Sequence, residues 1–259
     1  MLGAIIGDIV GSRFEYDNIK TKDFDFFAAG CDITDDSVLT IAVAEAFLSG
    51  DLKHLSIHAR DSILKHAWRY ANKDYGNRFR IWMNDPLLSP YNSFGNGSAM
   101  RVSPCSIVAK SLEETKTFSY AVTAVTHNHP EGIKGAEATA VAGFLAKGNS
   151  SIQAIEKYIN DHYYPMDFTL DQIRENYDYD VTCQGTVPVA LKAFFESVSF
   201  EDAIRNAISI GGDSDTIAAI TGGVAGLYYS TDEYEDTVYR YLDDEQIRIL
   251  VRFKEAFPY

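Results

Sequence analysis

Apolar residues recur along this chain at the three-to-four-residue spacing of amphipathic helices, and the strict alternation of strands is scarce. Val38, Leu39, Ile41, Ala42, Ala46 and Phe47 form one apolar face, closed by Gly50. Ile57, Ile63, Leu64, Ala67 and Trp68 form the next. Ser111 with Glu114, and Thr169 with Gln172, have capping-box spacing. Further helices are predicted over 131–147, 152–163, 187–197 and 201–210, and 232–257 is helical in composition. The pattern predicts an all-α fold of about ten helices, in one compact domain covering residues 1–259. Residues 72–98 break it. They are rich in Asn, Pro, Gly and aromatics and weakly periodic, which reads as a long loop of the kind that carries function or moves.

Composition narrows the function classes. A hydrophobic content of 46% with 13% aromatics excludes disorder, and 259 residues suffice for a substantial core. A formal net charge of -14 repels polyanions, which argues against nonspecific binding to nucleic acid or to an anionic membrane. No apolar run approaches a membrane span, and Met1 to Asp8 lacks the basic start of a signal peptide, so a cytoplasmic location is expected. Cys31, Cys105 and Cys183 have no paired spacing, and reduced thiols are expected. A monomer is the expected state.

The candidate chemistry begins with two acidic clusters, Thr34-Asp35-Asp36-Ser37 and Asp213-Ser214-Asp215-Thr216, each opening an apolar helical run. Two helix starts of this kind can converge on one point. Hard oxygens without nearby Cys or His pairs suit magnesium or manganese better than zinc. The same residue types are also preferred helix caps, although one cap residue would do that work and the adjacent Asp35 and Asp36 repel each other unless a cation sits there.

Two further segments have composition suited to a ligand. Gly95 and Gly97 in Ser93-Phe94-Gly95-Asn96-Gly97-Ser98-Ala99-Met100-Arg101 let the backbone approach an anion closely, and the small residues after them can start a helix whose N–H groups face it. Gly-Asn-Gly is equally an ordinary turn. Thr126-His127-Asn128-His129-Pro130 places two histidines just before a helix whose first residue is Pro130, where they suit ligand contact or a polar helix junction.

Taken together these residues resemble the ordered signatures of the ADP-ribosylglycohydrolase family, in particular the dinitrogenase-reductase-activating glycohydrolase type. The matching segments are Gly7-Asp8-Ile9-Val10-Gly11 followed by Glu15, Thr34 to Ser37, Ser93 to Pro104, His127 to Pro130, and Gly211 to Ala219. Each motif alone is weak, but the five in this order span nearly the whole chain. Ser37 stands where the family commonly has Thr, a change that keeps the hydroxyl.

The resemblance implies an all-α domain with a central cleft for two Mg²⁺ ions, or Mn²⁺, that hydrolyses the bond between ADP-ribose and an acceptor. Thr34, Asp35 and Asp36 would ligate from one helix start, and Asp213, Asp215 and Thr216 from the other. The backbone from Phe94 through Gly95, Asn96, Gly97 and Ser98 to Ala99 would hold the diphosphate. His129, and after it His127, would lie beside the ribose, and Phe94 or Tyr91 would stack on adenine. Glu15 or Asp36 would act on the attacking water. Arg101 either helps hold the diphosphate or pairs with a carboxylate. The substrate would be a protein or small molecule bearing ADP-ribose, its acceptor left open. Two other classes share these residues: a non-catalytic ADP-ribose binder of the same fold, and a metal-dependent nucleotide-diphosphate phosphohydrolase.

Overall fold

The computed structural model describes residues 1–259. Fourteen α-helices run in the order α1 Leu2–Gly11, α2 Asp35–Phe47, α3 Leu55–Arg69, α4 Asn77–Met83, α5 Ser103–Val108, α6 Leu112–Thr123 and α7 Pro130–Lys147, then α8 Ile152–His162, α9 Leu170–Ile173, α10 Cys183–Phe195, α11 Phe200–Ile208, α12 Ser214–Tyr228, α13 Glu235–Val238 and α14 Asp244–Ala256. The chain is all-α: its only β pairing is one antiparallel bridge between Gly95 and Thr182. No helix is long and apolar enough to cross a membrane.

α1 and α12 form the most extensive helix pair, and α12 also packs on α7, α10 and α11. Both are apolar nearly all round, as a helix enclosed by others must be. Ile5, Ile6, Ile9 and Val10 are buried, each contributing about 1.5–3 kcal/mol by leaving water. Glycine sets how close the two backbones come. A Cβ on Gly7 would sit 2.0 Å from the Ala218 carbonyl oxygen, and one on Gly222 would sit 2.0 Å from that of Gly3. Gly3 facing Gly222, Gly7 facing Ala218 and Gly11 facing Asp215 make the pair antiparallel, so the end of α1 lies beside the start of α12. That end is where the acidic residues collect.

The predicted helices between 38 and 68, and those over 131–147, 152–163 and 201–210, match α2, α3, α7, α8 and α11 to within a few residues. Thr169 and Gln172 form a full capping box, while Ser111 caps α6 and Glu114 reaches past it to the Lys110 N–H. Four expectations need correction. The count exceeds ten because several helices are a turn or two long. α10 begins at Cys183, ahead of the predicted 187, and carries Pro188 inside its first turns. The 232–257 stretch is broken into short turns before α14, whose start is set by an Asp243–Gln246 capping box. The 72–98 segment contains α4, because Phe79, Trp82 and Met83 recur at helical spacing and are buried. Tyr234 packs on Phe26, Phe27 and Phe200, Tyr241 stacks on Phe27, and Ile249 and Phe253 are buried, so the C-terminal aromatics dock on the chain's own core.

Candidate active site

Two helix starts and the end of a third enclose the site. Thr34 is the N-cap of α2: its hydroxyl accepts from the Asp36 N–H at 3.2 Å and donates to Asp8 Oδ1 at 2.7 Å. Asp8, from α1, also accepts the Thr34 N–H at 2.9 Å and the Ser37 N–H at 3.0 Å. Its carboxylate thus satisfies orphan donors at the start of α2 and locks that start to α1. Asp213 precedes α12 as its N-cap residue but makes no side-chain cap bond; its Oδ2 instead accepts from Asn96 Nδ2 at 2.6 Å. Capping therefore accounts for part of the first cluster and not for the second.

The turn into α12 needs left-handed backbone at Gly211 (φ +70°) and Gly212 (φ +75°), which glycine adopts without strain. Asn18 holds that turn from both sides, donating to the Gly212 carbonyl at 2.9 Å and accepting the Gly212 N–H at 2.7 Å. The same amide donates to the Phe14 carbonyl at 2.6 Å, tying the Glu15 turn to the Asp213 turn.

The carboxylates meet as two groups. Asp8, Asp36 and Asp215 bring ligand atoms within 4.8 Å of one another, as do Glu15, Asp213 and Asp215, so Asp215 belongs to both. Thr216 Oγ1 donates to Asp36 Oδ2 at 3.2 Å, while Asp36 Oδ1 is buried without a hydrogen-bond partner. Asp35 lines the same cleft beside them. Burial raises the pKa of Asp8, Asp35, Asp36, Glu15, Asp213 and Asp215, and for Asp35, Asp36, Glu15 and Asp215 the repulsion of neighbouring acids raises it further. No Lys or Arg forms an ion pair with any of the six. An orphaned buried carboxylate oxygen amid uncompensated acids fits a divalent cation, and the all-oxygen donor set fits a hard one.

These residues open into a cleft of about 600 Å³, of the size that takes a nucleotide-like ligand. Tyr91, Gly95, Asn96, Gly97 and His127 line it, together with Tyr16, Asp74, Arg78 and Tyr179, which the sequence reading did not single out. The loop's amides are largely committed. Gly95 N–H goes to Ser93 Oγ, Asn96 N–H to the Val181 carbonyl and Ala99 N–H to the Asn96 carbonyl, whereas Gly97 makes no backbone hydrogen bond. Ser98 and Ala99 lie buried behind the turn, with Ser98 Oγ donating to the Gly132 carbonyl at 2.9 Å.

The two histidines exchange their expected places. Pro130 makes His129 the N-cap of α7, so His129 Nδ1 accepts the Glu131 N–H at 3.1 Å and its ring packs on Phe94, with neither residue among those lining the cleft. His127 faces the cleft instead, with its ring against Tyr91. Arg101 pairs with no carboxylate; it is buried, donating to the Val122 carbonyl at 3.1 Å and to Thr126 Oγ1 at 2.7 Å. Asp8 left a trace in the sequence, as the single acid in the otherwise apolar and glycine-rich α1. Asn18, Tyr16, Asp74 and Tyr179 sit in segments without periodicity and left none.

Known proteins share this architecture. A solved structure described as an ADP-ribosylglycohydrolase-related protein complex superposes with a TM-score of 0.70 at 21% identity, over 98% of this chain and 95% of that one. The ADP-ribosylarginine hydrolase Tri1 of Serratia proteamaculans (strain 568) is 26% identical over 260 residues, covering 88% of this chain and 70% of Tri1. The human ADP-ribosylhydrolase ARH3 is 23% identical over 312 residues, covering 92% and 86%. Residues 1–257 match the family model described as ADP-ribosylglycohydrolase, and with that match over nearly its whole length the chain belongs to the ADP-ribosylglycohydrolase family.

Proposed function

We propose that this chain is a divalent-cation-dependent hydrolase that releases ADP-ribose from an ADP-ribosylated acceptor by cleavage at the ribose anomeric carbon. The observation that carries the reading is the convergence of Glu15, Asp35, Asp36, Asp213 and Asp215 on one cleft with Asp8 beside Asp36 and Asp215, none of the six paired with Lys or Arg and Asp215 common to two groups of three. Two Mg²⁺ ions, or Mn²⁺ on the same oxygens, would occupy the site. Thr34, Asp35, Asp36, Asp213, Asp215 and Thr216 would hold them, while Asp8, its oxygens engaged by three donors, fixes the start of α2. Bound there, the ions would supply positive charge and the acidification of a water.

The protein's own groups do the rest. Glu15 is half-buried, with the Tyr179 hydroxyl 3.5 Å from its Oε1 and its pKa raised by burial and by Asp213 and Asp74. A carboxylate tuned upward at the cleft wall suits acceptance of the attacking water's proton, work that contributes roughly 10²–10⁴-fold in rate. Asp36 accepts from Thr216 Oγ1 and its N–H is held by the Thr34 hydroxyl, which suits a fixed ligand more than a mobile base. The surrounding carboxylates stabilise the positive charge that develops at the anomeric carbon. Gly97 and His127 face the remainder of the ligand, and Tyr91 offers a ring at the same wall.

Arginine is the acceptor that the mouth favours. Asp74 and the exposed Tyr16 and Tyr179 stand beside Glu15, an acidic and aromatic rim that attracts a guanidinium. The Tri1 relatives carry that specificity in their names. The test is mass-resolved release of ADP-ribose from arginine, serine and acetyl-ester conjugates with Mg²⁺, Mn²⁺ or chelator. Intact ADP-ribose from the arginine conjugate with metal alone supports the reading. AMP or phosphate would indicate a phosphohydrolase, and binding without release a non-catalytic member.

A further inference from the structure

We propose that Arg101 and Thr126, both fully buried, are positioning residues that fix His127 as a neutral hydrogen-bond donor, its proton on Nε2 and aimed at the Gly95–Gly97 turn. The ordering of donors leads there. A guanidinium only donates, so the 2.7 Å contact from Arg101 Nη2 occupies a lone pair of Thr126 Oγ1 and leaves that hydroxyl its single hydrogen. Two acceptors are in reach: His127 Nδ1 at 2.7 Å and the Thr123 carbonyl at 3.5 Å. The first is an ordinary hydrogen bond and the second lies at the outer limit of one. Nδ1 therefore accepts, and in a neutral imidazole the proton resides on Nε2.

Neutrality has its own support, since burial and the Arg101 and Arg78 charges hold the His127 pKa well below the usual histidine range. Nε2 has no protein partner and lies 3.5 Å from where a Cβ on Gly97 would sit, and 3.7 Å from the same point on Gly95. The Tyr91 ring, its centroid 5.7 Å from that of the imidazole, keeps the side chain in place, and Arg78 binds the Tyr91 carbonyl. The cleft thus presents an N–H that asks for an oxygen acceptor, as a phosphate or ribose oxygen would supply. Only the identity of that oxygen rests on the ADP-ribose reading of the cleft.

The test is long-range ¹H–¹⁵N NMR of the ¹⁵N-histidine-labelled full chain, with the His127 signals identified by their loss in His127→Gln. Wild-type protein should show Nε2 protonated and Nδ1 bare. Thr126→Val, which keeps the side-chain shape without the hydroxyl, should mix the tautomers and weaken ADP-ribose binding roughly five- to tenfold. Thr126→Ser should restore both. A proton on Nδ1 in the wild type overturns the proposal even if Thr126→Val fails to fold, and so does unchanged affinity in a Val variant whose tautomers have mixed. The nitrogen shifts decide the assignment whether or not ADP-ribose binds, so failure of the substrate reading gives a different result from failure of this one.

Discussion

Replacing Asp215 with Asn should stabilise the metal-free protein and remove most of the stabilisation that Mg²⁺ gives. Asp215 is the carboxylate shared by both acidic groups, and after burial its pKa is held up by Asp213, Asp36, Glu15 and Asp8 in turn. A carboxyl whose folded pKa exceeds its unfolded value costs stability as pH rises past the unfolded value, and the cost is complete above the folded pKa. Near neutral pH without metal, Asn removes that cost while its Oδ1 can still accept the Thr216 N–H that Asp215 accepts at 2.9 Å. Two unit charges at the 4.8 Å group spacing repel by roughly 3 kcal/mol at an effective dielectric of about 20, and proton uptake by the cluster keeps the net cost below the sum over pairs. A relief of about 1–3 kcal/mol, at roughly 2–4 °C per kcal/mol for a chain of this size, should raise the variant's melting temperature by about 2–12 °C in chelator. Magnesium at a hundred times its dissociation constant stabilises the wild type by about 2.7 kcal/mol, a gain the variant should largely lose. Differential scanning calorimetry with EDTA and with saturating Mg²⁺ reads both effects. A variant that melts below the wild type in EDTA, or one that keeps the whole Mg²⁺ shift, refutes the reasoning.

Gly7→Ala forces a Cβ to within 2.0 Å of the Ala218 carbonyl oxygen, so α1 must move off α12. We expect a loss of about 3 kcal/mol or more and a smaller Mg²⁺-induced melting shift, measured together by scanning calorimetry. Asn18→Ala removes both bonds to the Gly212 backbone; the fold should survive a cost of about 1–3 kcal/mol, while kcat/KM for ADP-ribose release drops at least tenfold. Unchanged kcat/KM would show that Asn18 does not set the Asp213 turn. Glu45, hydrogen-bonded to the buried His66 at 2.9 Å, has its pKa lowered from 4.5 to about 2, chiefly by that bond. The stabilisation this gives is present above pH 4.5 and fades as pH falls toward 2, so Glu45→Gln should flatten the melting-temperature profile over that window relative to wild type.

Legibility in the sequence followed the range of each signal. α3 and α8 announce themselves by a periodic apolar face, to which α8 adds the Ser151 cap, whereas α2 and α7 show little contrast between faces and are marked by what bounds them, Thr34 at the start of α2 and Pro130 at the start of α7. α1 is short and buried from Gly3 to Gly11, and its position is fixed by glycine contacts with α12 more than two hundred residues away. α4 hides in a Pro- and Asn-rich stretch where three buried side chains decide the matter. At the site, Asp36 and Asp215 were legible because each lies in a dense local cluster of oxygens. Asn18 was not, since a lone amide gains its meaning only when Gly212 arrives beside it. That His127 and not His129 lines the cleft has a local reason: Pro130 sets the first helical residue, and that makes its predecessor a cap.

The charge distribution in the cleft implies the direction in which a ligand lies. A chain of net charge -14 is a poor host for a diphosphate on bulk electrostatics alone. Yet the lining is divided. Glu15, Asp36, Asp213 and Asp215 collect where α1, α2 and α12 meet, whereas Arg78 and Arg101 act on Tyr91 and His127, beside the glycine turn. Arg101 is buried with Nε and Nη1 lacking partners, and burial has not been offset by any carboxylate ion pair; its charge is felt by the wall without being cancelled. A ligand bound with its anionic part at that wall would extend its uncharged sugar end toward the acids, where divalent cations would meet hydroxyls and not phosphates. A ligand turned the other way would leave the two arginines unanswered. The placement of the arginines therefore favours a diphosphate at the glycine-turn wall, which leaves the sugar carbon nearest the acids.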